Sequence, residues 1–308
     1  MVTFRFITIT VGDAMLDQKN FLIVGLTRNS ERYIESELMH LESIFADFGQ
    51  VSFHLVESDS SDNTLEILSS LAASKPNLTF TSMGNLESTI SVRTERMRVC
   101  RNEYVKWIRT TTSRLNFVVV VDFDGMNKKL SKSGVKSSLN REALWSACFP
   151  NQLFGYYDLY ALRCKGWVER DFLPTLRSQI KKTDSPSSGT LLTSLTSYMR
   201  EDTVRRRLIY RNMRILFPWG PLIYVESAFG ALGIYKAECF LESDYGSTRA
   251  EYTECEHVHF HAKLFSSGKQ LVINPRMLNS WVNPYNLNKI FFVRVLRRVK
   301  TLVRGAFE

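Results

Sequence analysis

From Asn116 to Gly125 the chain reads Asn-Phe-Val-Val-Val-Val-Asp-Phe-Asp-Gly. Phe117 and the four valines after it leave no polar face, which predicts a strand buried on both sides, as in a parallel sheet covered by helices. The run stops at two carboxylates, Asp122 and Asp124, with Gly125 behind them. Open α/β sheets present ligands at the carboxyl ends of their strands. A hard cation such as Mg²⁺ or Mn²⁺ is held by one or two carboxylates, with substrate phosphates and water in its other positions. Asp and Gly are also ordinary turn residues, so an Asp-x-Asp-Gly turn without a metal fits the same letters.

The chain before this strand repeats one pattern. Phe21 to Leu26 reads as a strand, then a polar loop, then a helix with Ile34, Leu38, Leu41, Ile44 and Phe45 at helical spacing and Ser30 as its N-cap. Val51 to Val56 is the next strand, followed by the polar run Glu57 to Thr64 and a helix over Leu65 to Ala73. Phe80 to Met83 suggests a short third strand, and Val92 to Arg109 an arginine-rich helix. Strand, loop and helix in alternation predict a parallel sheet. With 308 residues, 44% of them apolar, the chain is long enough for one large α/β domain.

The order of these pieces resembles the GT-A class of nucleotide-sugar glycosyltransferases, and within it the fungal capsule-associated α-1,3-mannosyltransferases and their bacterial relatives. The resemblance rests on Arg28-Asn29 after the first strand, on Glu57 to Thr64 after the second, on Cys100-Arg101-Asn102 and on Asp122-x-Asp124. It continues in Tyr156 to Arg163, Val225 to Leu232, Glu254-Cys255-Glu256-His257 and Asn274-Pro275-Arg276, covering about residues 20–285. The loop after the second strand departs from the pattern by carrying Asp59 and Asn63. The resemblance implies a Rossmann-like, mostly parallel sheet flanked by helices over residues 1–287. Its nucleotide-binding half would span about 20–125 and its acceptor half about 126–287.

The same resemblance places Thr27, Arg28, Asn29 and Glu57 around the nucleoside. It places Arg93, Arg96, Arg101 and Asn102 toward the diphosphate, where guanidinium forks match phosphate oxygens, and gives Asp122 and Asp124 to Mn²⁺ or Mg²⁺. Glu57 to Thr64 fits a helix-capping turn equally well, and each arginine fits a solvated helix face. Family likeness implies GDP-mannose as donor with retention at the sugar, although related enzymes use UDP sugars and invert.

In the second half, Tyr157 and Asp158 lie in an aromatic stretch suited to a sugar acceptor; an aromatic core strand with Asp158 paired to Arg163 is the alternative. Lys181 to Arg214 turns polar and reads as a mobile insertion. Glu256 and His257 correspond to the family's acidic catalytic or acceptor-binding motif. His257, His259 and His261 share a face in a strand, whereas only His257 and His261 do in a helix. Ala262, Leu264, Phe265 and Gly268 favour the helix. One of these imidazoles could also complete the coordination of the cation.

Residues 288–308 read as a basic amphipathic helix, suited to an anionic membrane surface or to packing on the domain with a solvated basic face. The first twenty residues hold no apolar run long enough for a signal or a membrane span. Five scattered cysteines give no disulfide or metal spacing. Together these lead to a cytoplasmic protein, peripheral on the inner face of a membrane. The formal charge of +9 favours an anionic partner. A nucleic acid is not expected, since the cations concentrate in a tail and an insertion without a recognised motif. The leading expectation is sugar transfer from a nucleoside diphosphate to a glycan or lipid-linked acceptor, and the alternative is a sugar nucleotidyltransferase.

Overall fold

The four valines lie at the middle of the sheet, as their lack of a polar face requires. The structure, a computed structural model, describes residues 19–111, 114–181, 191–246, 254–290 and 293. In chain order its elements are β1 (Lys19–Thr27), α1 (Ile34–Phe45), β2 (Gly49–Glu57), α2 (Thr64–Ser74), β3 (Leu78–Ser82), α3 (Arg93–Thr111), β4 (Phe117–Asp122) and α4 (Lys132–Leu139). They continue with β5 (Ala147–Gln152), α5 (Leu173–Lys181), α6 (Leu191–Arg205), β6 (Ile223–Val225), β7 (Leu232–Lys236), α7 (Cys239–Glu242), α8 (Glu256–Ser266), β8 (Leu271–Ser280) and α9 (Pro284–Leu287). The eight strands form one sheet in the order β3-β2-β1-β4-β7-β5-β8-β6. β1 runs parallel to β2 and β4, β2 to β3, and β5 to β8. β7 is antiparallel to β4 and β5, and β6 to β8. This is the α/β architecture expected above, with helices on both faces.

Side chains of a strand alternate between faces, and β4 shows what that does here. Val118 and Val120 pack with Tyr104 and Ile108 of α3 and with Phe260 and Leu264 of α8. Phe117, Val119 and Val121 face Ile34, Leu38 and Leu41 of α1 and Val135 and Leu139 of α4. All four valines are fully buried, and each contributes roughly 1.5–3 kcal/mol by leaving water. β1 lies close against this strand at Gly25, where a Cβ would stand 2.1 Å from the Val121 carbonyl oxygen. Any side chain there would push apart the two strands whose ends carry the site.

Several local expectations change. Ser30 does not cap α1 with its side chain. The N-cap is Tyr33, and the Ser30 hydroxyl bonds the Thr27 hydroxyl instead. The Ser30 carbonyl still opens the helix, accepting the Tyr33 and Ile34 N–H groups at 2.8 and 2.9 Å. The third strand starts earlier, at Leu78. Residues 155–162 form turns rather than an aromatic strand, because Tyr156 is drawn inward and its hydroxyl accepts the Phe229 N–H at 3.2 Å. Of the polar stretch read as a mobile insertion, residues 191–210 are helical, as α6 followed by a π-helical turn, and 182–190 lie outside the described residues. Most of the C-terminal basic helix and all of the N-terminal eighteen residues also lie outside them. All five cysteines are free and buried. No helix among the described residues is long and apolar enough to cross a membrane.

Candidate active site

β4 ends where four strand ends are stitched together by buried amides. The Asp122 N–H donates to the Ala231 carbonyl at 3.0 Å. Asn127 reaches back to the same carbonyl at 3.2 Å and to that of Asp122 at 3.3 Å. Asn279 of β8 donates to Asn127 Oδ1 at 2.8 Å and to the Gly230 carbonyl at 2.7 Å, and itself accepts from Gln152 of β5 at 3.0 Å. Gly230 and Ala231 adopt left-handed φ of 74° and 72°, and a Cβ on Gly230 would meet Gln152 Nε2 at 2.9 Å. This turn aims the Gly230 N–H at Asp158 Oδ2, 2.8 Å away, while Ala161 donates to Oδ1 at 3.3 Å. Asp158 is therefore held by backbone. The pairing with Arg163 is absent, because Arg163 bonds Glu254 at 2.8 Å.

Arg101 ties the centre to α8. It is 1% exposed, and its Nε donates to Glu256 at 2.9 Å, its Nη2 to Asp122 at 3.1 Å and its Nη1 to the Tyr104 hydroxyl at 3.3 Å. A guanidinium committed in three directions acts here as a strut between two carboxylates, rather than as the free fork toward a diphosphate that its motif implied. Glu256, the first residue of α8, is buried on that strut.

Charge crowds what remains. Burial, then the charge of Asp122, push Asp124 up to about 7. Burial and the nearby Glu256 raise Asp122 as well, against the opposing pull of Arg101. Asp158 rises to about 6 by burial, with Asp122 and Glu256 adding to it against its backbone donors. Behind Asp124, Glu37 of α1 accepts the Gly125 N–H at 3.0 Å, and burial raises it to about 7. Tyr157 and Tyr285 stack at 4.9 Å between ring centres, and both feel the charges of Asp122, Asp124 and Asp158. The carboxylates and the stacked tyrosines thus share one neighbourhood.

Beside this centre lies a pocket of about 200 Å³ lined by Thr27, Arg28, Ser58, Asp59, Arg93, Arg96, Cys100, Asp122 and Asp124 among others. The loops that form it bind themselves. Arg28 donates to the Asp59 carbonyl at 3.1 Å and to Glu87 at 2.8 Å. Asn29, at a left-handed φ of 51°, accepts the Ser61 N–H at 2.8 Å and joins the first loop to the second without lining the pocket. Glu57 is 3% exposed, and its two oxygens accept from Ser60 N–H at 3.0 Å and the Ser82 hydroxyl at 2.6 Å. Arg96 is held by the Ile90 and Ser91 carbonyls and by Glu87. Arg93 is exposed at the rim, close enough to Asp122 to lower its pKa. Asn102 lies elsewhere, pinning Tyr245 and Gly246 beside His259 and Lys263.

The helix reading of the histidines holds: α8 carries all three. None is placed to join Asp122 and Asp124 at a metal. His261 bonds Ser227 and Tyr235 through its two ring nitrogens at 2.9 Å each. His259 lines the separate groove with Asn102. His257 is stacked on Phe229 at 3.8 Å between ring centres, with no protein partner on either nitrogen. Burial, with Arg101 and His261 adding to it, keeps its imidazole neutral. Among the described residues no group of three or more His, Cys, Asp or Glu side chains could hold a metal alone. Two crowded carboxylates, one of them raised to about 7 by burial and then by the charge of the other, nevertheless fit a hard cation completed by phosphate and water, because such an ion relieves the repulsion between them.

Sequence reading did not find Glu37, Asn127, Asn279 or Tyr285. Glu37 left one trace, an acid among Ile34, Leu38 and Leu41 on the inner face of its helix. The amides and Tyr285 left none, since the contacts that give them their place join residues more than a hundred positions apart in the chain.

No family model matches the chain, and no curated protein matches it. Similar solved structures include S. aureus TarS 1-349 (16% identical, 87% of this chain and 62% of that one covered, TM-score 0.45) and the same stretch of TarS in complex with UDP-GlcNAc (15%, 87% and 60%, 0.47). Another is the mannosyltransferase PcManGT from Pyrobaculum calidifontis in complex with GDP-Man and Mn²⁺ (14%, 86% and 57%, 0.46). This chain spans about 60% of the length of the structures it matches. At this distance the likenesses assign no residue, and the fungal capsule-associated family is not shown by them.

Proposed function

We propose that the chain is a metal-dependent glycosyltransferase that moves a sugar from a nucleoside diphosphate to an acceptor hydroxyl. The observation that carries this reading is a pocket at the ends of β1, β2 and β4 that closes on two crowded carboxylates, with Asp158 and a tyrosine stack alongside. In this reading the nucleoside lies against Thr27, Arg28, Ser58 and Asp59, while Asn29 and Glu57 shape the loops behind it. Arg93 at the rim meets the diphosphate. A cation held by Asp122 and Asp124 would supply charge stabilisation for the leaving diphosphate.

Asp158 accepts the proton of the acceptor hydroxyl as that oxygen bonds the anomeric carbon and the bond from that carbon to the diphosphate breaks. A carboxyl raised to about 6 is matched to proton transfer near neutral pH. Tyr157 and Tyr285 offer the acceptor an aromatic face. Arg101 and Glu256 position Asp122, and His257 fills the aromatic core beside them. Mannose as the sugar, GDP as the carrier and a glycan or lipid-linked acceptor belong to the same proposal, supported by the motif resemblance, and a peripheral place on the inner face of a membrane belongs to it on the basic amphipathic pattern of residues 288–308.

A panel of GDP- and UDP-sugars incubated with Mn²⁺ tests it. One donor should raise the melting temperature, since a ligand that binds only the folded state stabilises it, and should release nucleoside diphosphate. Release of pyrophosphate during synthesis of a nucleotide sugar would favour the nucleotidyltransferase instead. No response to any donor would end the reading.

A further inference from the structure

The arm between the π-helical turn and β6 holds large apolar side chains out into solvent on an anchored backbone. Met213 and Leu216 point inward and are 5% and 9% exposed, and Asn151 binds the Leu216 carbonyl at 2.8 Å. Between and beyond these anchors, Phe217 and Trp219 are 58% and 74% exposed, with their rings stacked on each other at 5.1 Å. Ile215 is exposed on the same arm, and Tyr224 on β6 where the arm ends. Lys289 donates to the Met213 carbonyl at 2.8 Å and approaches that of Phe154 at 3.5 Å. That contact brings two further exposed apolar residues, Phe154 and Ile290, to the foot of the arm. Soluble surfaces carry single exposed apolar residues freely, but a contiguous group of this kind marks an interaction site.

The charges nearby say what covers it. Arg206, Arg207, Arg211 and Arg214 are exposed, and none forms an ion pair among the described residues. Arg214 is spent partly on the Gly166 carbonyl at 2.7 Å and on the Trp167 ring. Glu169 and Glu226 are the carboxylates that share the surroundings of Cys164 with Arg214. Arg207 bonds the neutral Gln179, so none of this arginine charge is neutralised by a carboxylate among the described residues, and an excess of arginine around aromatic and aliphatic side chains repels a second copy of a chain whose formal charge is +9. It complements a bilayer, where tryptophan and tyrosine settle at the headgroup level and arginines pair with anionic lipid. We infer that this face, from Arg206 to Tyr224 with Phe154 and Ile290, docks on an anionic lipid surface. The Tyr156 N–H donates to the Arg214 carbonyl at 2.9 Å, so the loop that carries Asp158 is fastened to the docking arm. The inference stands whether or not the proposed reaction is right.

The test is co-sedimentation of the full chain with vesicles of phosphatidylcholine alone and of phosphatidylcholine with phosphatidylglycerol. The wild-type protein should bind only the anionic vesicles, less so as salt rises. Phe217→Ser with Trp219→Ser should weaken that binding by about tenfold or more, and each of Arg207→Gln and Arg211→Gln by about fivefold. These side chains are exposed, so the melting temperature should not move. Lipids brominated near the headgroup should quench tryptophan fluorescence in the wild-type protein more than in Trp219→Phe. Unchanged binding of the Phe217/Trp219 variant, or equal quenching in Trp219→Phe, would overturn the inference and leave residues 288–308 as the contact. Absence of wild-type binding with concentration-dependent dimers lost in the same variant would overturn it in favour of a second copy.

Discussion

The loops after β1 and β2 and the carboxylates after β4 sit within one pocket wall, yet they treat polar groups in opposite ways. In the loops nearly every polar side chain is already bonded to protein: Glu57 to Ser60 and Ser82, Asn29 to Ser61, Arg96 to two carbonyls and Glu87. At the strand end, Asp122, Asp124, Asp158 and Glu37 are all raised by burial and further by neighbouring carboxylates. The first region is a finished surface whose shape is set before any ligand arrives. The second holds charge that a cation or a proton can relieve. Preorganised shape suits recognition, and uncompensated charge suits chemistry.

The contrast can be broken most forcefully at Arg101, the cation buried between Asp122 and Glu256. Arg101→Met strips the counter-charge from Glu256 and Asp122, and removing one partner of a buried ion pair costs roughly 3–5 kcal/mol. The melting temperature should fall by many degrees, and a variant as stable as wild type would show that the strut carries little. Next comes Asp158→Asn, which should lower kcat by about 10²–10⁴ while donor affinity stays within a few-fold. In the wild-type protein kcat/KM should fall as pH drops below about 6, and the variant should lose that inflection. A parallel fall in donor affinity would move Asp158 to the nucleotide side.

Glu37 offers a smaller effect with a definite sign. Its carboxyl is raised from 4.5 to about 7 in the fold, so between those values the native state holds a proton that the unfolded chain has released. Its stabilising contribution is complete below about pH 4.5 and is lost as pH rises through 7. Unfolding in urea should show stability declining across that window, with Asp124 and Asp158 adding to the fall, and Glu37→Gln should remove roughly 3 kcal/mol of that decline at most. A variant that keeps the full slope would place the titration elsewhere. The smallest change is expected at His257→Phe, a near-isosteric swap inside an aromatic stack that should cost less than about 1.5 kcal/mol and leave turnover nearly intact. Loss of turnover in a folded His257→Phe protein would return the imidazole to the chemistry.

What could be read from the letters, and what could not, follows the same divide. The buried strand, the carboxylates at its end and the helical α8 were legible because each is written in a local pattern: five apolar residues without a polar face, Asp-x-Asp, and apolar residues continuing past the histidines. The roles of single residues were less so. Arg101 read as a phosphate ligand because a motif records that an arginine is there, not that Glu256, 155 positions away, occupies it. Asn279 and Asn127, which fix the strand ends, have no local signature because buried amides are chosen by partners distant in sequence. Ser30 failed as a cap for a local reason, since its hydroxyl bonds that of Thr27, three residues back.

The central claim is that the crowded carboxylates Asp122 and Asp124 exist to hold a cation together with a diphosphate. Calorimetric titration of Mn²⁺ into the protein saturated with GDP or UDP measures this directly. Wild-type protein should bind one ion, more weakly as pH falls below 7 because the cation must displace the proton that Asp124 holds. Asp122→Asn and Asp124→Asn should keep the wild-type circular dichroism spectrum and lose at least about a hundredfold in Mn²⁺ affinity, with turnover down about 10²–10³ at saturating Mn²⁺. Mn²⁺ binding and turnover at wild-type levels in both folded variants would contradict the claim.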